Sequence, residues 1–190
     1  VVKNSVFSYN GDDTTESGFL YSKNGKGNLK VENSQFNKNY SIGLTAIVYG
    51  NISLKNIRAD NNGNVGVNLD TCDDNDTTNC RNTSSGNISI TDSNIEENGY
   101  RSVGYGLRIN SAKGSVILTN VWVNGNGDGD MPTWGAYITN QYSPTKSPVT
   151  ITNNSFDNNK NNGLWVKSLG LITLKDSSAS GNTGGSYGAY

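Results

Sequence analysis

The stretch "ITNNSFDNNKNNGLWVKS", Ile151–Ser168, holds seven asparagine or aspartate residues in eighteen. Asparagine is a poor strand former and a mediocre helix former. Yet here the amides are interleaved with Ile151, Phe156, Leu164 and Val166, which read as core. A chain that sets amides beside its apolar positions at regular intervals is specifying something other than a simple amphipathic element.

The same order recurs along the chain. An apolar burst leading into an Asn cluster appears as "VKNSVFSYN" (Val2–Asn10), "LKVENSQFNKN" (Leu29–Asn39), "ISLKNIRADNN" (Ile52–Asn62) and "ISITDSNIEEN" (Ile88–Asn98). It returns as "VILTNVWVNGN" (Val116–Asn126), "VTITNNSFDNN" (Val149–Asn159) and "ITLKDSSASGN" (Ile172–Asn182). Each is followed by a glycine and a second burst, at Gly18, Gly43, Gly66, Gly106, Gly135, Gly163 and Gly188. The intervals Asn39 to Asn62 and Asn159 to Asn182 are both 23 residues, and longer intervals place their excess at two points only. Insertions confined to fixed points are loops leaving a constant scaffold.

Within each burst the apolar residues alternate with polar ones, as in Leu29/Val31, Ile52/Leu54, Ile88/Ile90 and Val116/Leu118. Period 2 marks strands. The second bursts alternate likewise (Val67/Leu69, Leu107/Ile109, Ala136/Ile138), and a third inward position holds Phe7, Phe36, Ala59, Ile95, Val123, Phe156 and Ala179. The pattern predicts an all-β solenoid of about seven coils, beginning near residues 2, 29, 52, 88, 116, 149 and 172, with three short strands per coil. Its coils would stack at the spacing of paired strands, about 4.8 Å. One domain spans residues 1–190. An antiparallel sandwich is the competing fold, but it gives no reason for Asn and Gly at fixed offsets.

These repeats resemble the right-handed, single-stranded parallel β-helix of the pectate-lyase-like family, and the likeness covers essentially the whole chain. The resemblance implies parallel sheets, an apolar interior and ladders of identical side chains at the turns. One ladder is then Asn4, Asn33, Asn56, Asp92, Asn120, Asn153 and Asp176. A second, unbroken one is Asn10, Asn39, Asn62, Asn98, Asn126, Asn159 and Asn182. Asn accepts left-handed backbone and bonds its own turn, and stacked amides can link in-register strands. The glycine column predicts a positive φ or a tight corner.

The chemistry that the resemblance implies is poorly matched. Pectate lyases use a basic residue beside calcium on an acidic sheet face, whereas the outward columns here (Lys30, Ser53, Ser89, Ile117, Thr150, Thr173) hold no acidic cluster. Polygalacturonase-type enzymes need Asp residues and a histidine, and the chain has no His. "GLRIN" at Gly106–Asn110 is similar to their Arg-Ile-Lys element, with Asn110 in place of Lys. The expectation is a protein with no catalytic residues of its own.

Four readings of other residues remain as expectations. The outward row of the second bursts (Leu20, Thr45, Asn68, Arg108, Tyr137, Trp165, Tyr190) ends in a cation and three aromatics, a candidate face for carbohydrate or a partner. Asn124, Asn126, Asp128 and Asp130 are alternate residues resembling the start of a calcium loop, although Gly135 stands where its bidentate Glu belongs. Asp70, Asp73, Asp74 and Asp76 form a second acidic group, beside a local Cys72–Cys80 disulfide. Asn51 and Asn87 sit in glycosylation sequons.

A Cys72–Cys80 disulfide would place the protein outside the cytoplasm, and the expectation is an extracellular or cell-surface protein. A net charge of −1 and pI near 5.4 give no electrostatic pull toward nucleic acid. No apolar run is long enough to span a membrane. Neither end carries an atypical capping segment, so the expectation is a piece of a longer repeat protein or a unit stacking end to end with its own kind. Together these readings point to a non-catalytic structural or adhesive segment, calcium being its only candidate cofactor. A carbohydrate-active protein with its active coils elsewhere is the alternative.

Overall fold

A computed structural model describes residues 1–11, 19–22, 27–71, 86–110, 114–128, 132–141, 146–184 and 188–190. These residues contain fourteen strands. The first coil carries β1 (Val2–Lys3), β2 (Val6–Ser8) and β3 (Phe19–Ser22), the second β4 (Leu29–Asn37) and β5 (Leu44–Val48). Then follow β6 (Ile52–Arg58) with β7 (Val67–Asp70), β8 (Ile88–Asn94) with β9 (Tyr105–Asn110), and β10 (Val116–Trp122) with β11 (Trp134–Asn140). The last are β12 (Val149–Thr152), β13 (Leu164–Ser168) and β14 (Ile172–Lys175).

The strands form two sheets in which every pairing is parallel. One has the order β1-β4-β6-β8-β10-β12-β14 with β2 also against β4, and the other β13-β11-β9-β7-β5-β3. From β4 onward the chain visits one sheet and then the other, so each strand pairs with the equivalent strand one circuit later. This topology is compatible with a parallel β-helix. Register follows the apolar alternation: Val31 pairs with Leu54, Leu54 with Ile90, Ile90 with Leu118, Leu118 with Ile151, and Ile151 with Leu174. A slip of one residue would turn the buried members, Val31 to Ile151, out of the core.

Two expectations are corrected. In β3, Phe19 rather than Leu20 pairs with Thr45, so the first coil sits one residue off the alignment on Gly18. The run Phe19-Leu20-Tyr21 is apolar throughout, and without alternation it does not specify its own register. The third strand of each coil is also reduced. It is β2 and the ends of β4, β6, β8 and β10, pairing Phe7 with Phe36, Gln35 with Arg58, Arg58 with Asn94 and Asn94 with Trp122. Beyond these it is single bonds, Ile95 N–H to Trp122 O at 2.8 Å and Val123 N–H to Ser155 O at 2.8 Å. It lies between two left-handed corners, which leave too few residues for a longer strand.

Those corners are regular. Asn4, Asn33, Asn56, Asp92, Asn120, Asn153 and Asp176 all have φ between 48° and 57°. Asn and Asp tolerate this region better than other side-chain-bearing residues, which accounts for the first ladder. Its links run from Asn33 Nδ2 to Asn4 Oδ1, Asn56 Nδ2 to Asn33 Oδ1, Asn120 Nδ2 to Asp92 Oδ1 and Asn153 Nδ2 to Asn120 Oδ1. Each amide donates to the coil before it. Asp92 and Asp176 have no amide to donate, so no such link reaches Asn56 or Asn153 from them.

The second ladder works differently from its expectation. Its asparagines are not themselves left-handed; the residue before each one is (Tyr9, Lys38, Asn61, Glu97, Gly125, Asn158 and Gly181, φ 55° to 66°). The asparagines turn inward instead. Asn39, Asn62, Asn98, Asn126 and Asn159 are fully buried. Each Nδ2 donates to Oδ1 of the next coil, from Asn10→Asn39 at 3.2 Å through Asn39→Asn62, Asn62→Asn98, Asn98→Asn126 and Asn126→Asn159 to Asn159→Asn182 at 3.1 Å. Each accepting Oδ1 also takes the backbone N–H of the Asn that donates to it. The second amide proton of Asn62 goes back to Phe36 O and that of Asn98 to Ala59 O, both at 2.8 Å.

The ladder also explains the glycines. Gly43, Gly66, Gly106, Gly135 and Gly163 are not among the positive-φ residues. A Cβ on Gly106 would lie 2.5 Å from Asn126 Nδ2, and one on Gly66 2.6 Å from Asn98 Nδ2. The column is glycine because the amide of the following coil occupies the space.

Replacing Asn98 by Ala removes four bonds in one buried place and leaves the Asn62 N–H and one Asn62 Nδ2 proton without an acceptor. At about 1–3 kcal/mol for each of these two donors, the expected loss by urea denaturation is at least about 2 kcal/mol. Asn33→Ala, on the exposed ladder, should cost no more than about 1–2 kcal/mol. Equal losses at the two positions would refute the division of labour between the ladders.

Candidate functional site

Stacking identical turns places like side chains over like on the outer face of the second sheet. Arg108 pairs in register with Asn68 and Tyr137, and Tyr137 with Trp165. The bridge between Leu164 and Ala189 sets Tyr190 beyond Trp165. Tyr137 and Trp165 are stacked at 4.4 Å with planes 1° apart, and Trp165 and Tyr190 at 6.3 Å and 11°. The expected row is therefore brought together over its last four positions.

Two further aromatics complete it. Trp134 stands edge-on to Tyr137 (5.5 Å, 68°) and Trp165 (6.4 Å, 67°), and Tyr105 is tilted against Trp134 and Tyr137. Both immediately precede a column glycine, Gly106 and Gly135, and they pair in register. That offset repeats in the sequence, but an alignment that starts at the glycine passes over it. The result is a five-ring cluster crossing four coils, half-buried except for Tyr190, which is 64% exposed. Such pairs contribute about 0.5–1.5 kcal/mol each beyond the area they bury.

The other half of the row departs from expectation. Thr45 and Asn68 are buried, as are Ile47 and Asp70 on the same strands, so this face is closed to solvent on the second and third coils. Thr45 Oγ1 and Asn68 Oδ1 have no hydrogen-bond partner among the described residues. Period 2 assigns a side chain to a face, but not whether chain from elsewhere covers that face.

The calcium residues do not act as a set. Asn126 is buried, and its Oδ1 accepts both the N–H and the Nδ2 of Asn98. Asn124 Oδ1 accepts from Ser155 Oγ and the Asp157 N–H, each at 2.8 Å. A cation at these oxygens would have to displace the scaffold's own bonds. Asp128 is exposed, and Asp130 lies outside the described residues. So do Cys72, Cys80 and the Asp73–Asp76 group, while Asp70 is buried in β7.

Asn51 and Asn87 are exposed and belong to a further column. The Asn51 N–H donates to Asn28 Oδ1, the Asn87 N–H to Asn51 Oδ1 and the Ser115 N–H to Asn87 Oδ1, all at 2.8 Å. Each residue stands just before its strand, a constant offset that was visible in the repeat.

Charge on the scaffold is local. Lys3 and Lys30 bracket Glu32 at 2.8 and 2.6 Å, and their hydrogen bonds lower its carboxyl to about 2. Asp157 is pushed up by burial, but the hydroxyls of Ser155, Ser178 and Ser180 and the Ser180 N–H together hold it below the ordinary range. Glu96 goes the other way. Burial raises it, Arg58 opposes, and the charge of Glu97 adds to the rise.

No family model, curated protein or solved structure matches the chain.

A carboxyl whose folded pKa is raised contributes stability below its ordinary pKa, about 4.3, and loses it as pH rises through the folded value. Glu96→Gln should therefore raise the urea midpoint at pH 7 and leave it unchanged near pH 3.5. A gain at low pH, or a loss at neutral pH, would contradict burial as the dominant cause.

Proposed function

We propose that the chain is a non-catalytic structural and adhesive segment of an extracellular or cell-surface repeat protein. It is built as a right-handed, single-stranded parallel β-helix of the pectate-lyase-like kind. The right hand follows from the crossover rule for parallel strands. The observation that carries the reading is the Asn10–Asn182 ladder, buried from Asn39 to Asn159, an unbroken chain of amide-to-amide hydrogen bonds through seven coils. A coil cannot tilt or slide against its neighbour without breaking several of these bonds at once, so the rod is stiff along its length. Stiffness and an inert surface suit a spacer that holds contact surfaces away from a cell. The extracellular assignment rests on the Cys72 and Cys80 pair, spaced for a local disulfide.

Incubating the protein with pectin, alginate and other uronic-acid polysaccharides should release no new reducing or unsaturated ends. Depolymerisation of any of them, abolished by Arg108→Ala, would replace this reading with a catalytic one.

The aromatic cluster favours a second reading, a glycan-contacting face. Tyr137 and Trp165 spend their facing ring surfaces on each other, whereas Trp134 and Tyr105 are stacked face to face with no described ring. A sugar ring would pack against Trp134, with Arg108 donating to its hydroxyl or carboxylate oxygens. On a glycan array, Trp134→Ala and Arg108→Ala should each abolish whatever binding the wild-type protein shows. Binding indifferent to both would remove this face from the account.

A further inference from the structure

The left-handed corner before the second ladder builds a second site, from residues other than those of the aromatic cluster. Tyr9, Lys38, Asn61, Glu97 and Gly125 occupy that corner on five successive coils and line an open groove of ≈ 620 Å³. Their side chains satisfy one another in pairs. Lys38 Nζ donates to Tyr9 Oη at 3.0 Å and lies 5.4 Å from the centre of that ring. Asn61 Nδ2 donates to Glu97 Oε2 at 3.0 Å.

The pairing stops at the fifth coil. Gly125 brings no side chain, and a Cβ placed there would meet nothing nearer than Glu97 Cγ at 4.0 Å. Glu97 is left open on that side. Gly127 continues the floor, Asp128 adds a second carboxylate to the lining, and Tyr100, 41% exposed, supplies an aromatic wall. Neither Glu97 nor Asp128 meets a cationic group within ion-pair distance among the described residues. The lysine of the groove is held at its other end, against Tyr9.

We propose that this groove is a docking site for a basic peptide segment, whose lysine or arginine head sits between Glu97 and Asp128 over the Gly125–Gly127 floor. Charge complementarity selects the occupant: two carboxylates with no cationic group at ion-pair distance among the described residues face an open space wide enough for an ammonium or guanidinium group. Tyr100 adds the cation–π attraction that favours guanidinium. The site is independent of the aromatic face and of any carbohydrate it takes.

The test is an amide NMR titration of the whole chain with acetyl-triarginine amide, with acetyl-triglutamate amide as the control. The expected result is saturable binding whose shifts centre on Glu97, Tyr100, Gly125 and Asp128 and which weakens as salt rises past 0.1 M, where screening sets in at about 10 Å. Glu97→Gln combined with Asp128→Asn should weaken it about fivefold or more, and Tyr100→Leu should weaken it measurably. Both acids are surface groups, so an unchanged amide spectrum will show that the variants fold. Should Glu97→Gln disturb the fold through Asn61, Asp128→Asn alone provides the test. Absence of saturable binding, shifts centred on Arg108 and Trp134, equal binding of triglutamate, or indifference to the acid-to-amide changes would each overturn the proposal.

Discussion

A primary amide buried in an apolar interior must find partners for two protons and a carbonyl oxygen, or it costs roughly 2–7 kcal/mol. The second ladder meets that demand in one geometry only. The next coil must lie directly above, in register, with another amide at the same place. Asn39, Asn62, Asn98, Asn126 and Asn159 are each fully buried and bonded on both sides, so every coil specifies the position of the next. An apolar side chain there would tolerate sliding between coils. The amide does not, and the rest of the architecture rests on that intolerance.

Much else is a consequence of stacking at fixed register. The inward glycines exist because an amide of the neighbouring coil occupies the space of a side chain. The residue before each ladder asparagine is left-handed because the chain must turn its amide inward within one residue, and so Lys38 and Glu97 accept a conformation that side-chain-bearing residues seldom adopt. Outside the core the same translation aligns Tyr137 over Trp165 to within 1°, and Lys38 beside Tyr9. Surface groups that would be scattered on an irregular fold become rows. A row that is interrupted, as at Gly125, becomes a groove.

The repeat was plainly legible. Apolar alternation and the constant offsets of Asn and Gly gave the parallel register from Val31 to Leu174 and the membership of both ladders. The register failed at Phe19–Tyr21, where an all-apolar burst carries no alternation. Of the candidate contact face, Arg108, Tyr137, Trp165 and Tyr190 could be found from the repeat because each occupies the same place in its coil. Tyr105 and Trp134 occupy another, one residue before the glycine. Their approach to Trp165 and Tyr137 depends on how the corner folds, which spacing does not encode.

What the sequence alone determined about this protein is its periodicity: which residues are equivalent, which alternate inward, and where insertions are tolerated. Local chemistry suffices for that, because a coil repeats whatever its neighbour does. Only the tertiary structure decided what each equivalent position is for. It separated an exposed ladder that turns the chain from a buried one that locks the coils, and it withdrew Asn124 and Asn126 from a cation by committing their oxygens to neighbouring coils. It also showed Thr45 and Asn68 buried in a row whose later members are half-buried or, at Tyr190, exposed. The reason is physical. A side chain's role depends on the partners that reach it from other coils, and those partners lie 23 to 36 residues away in the chain.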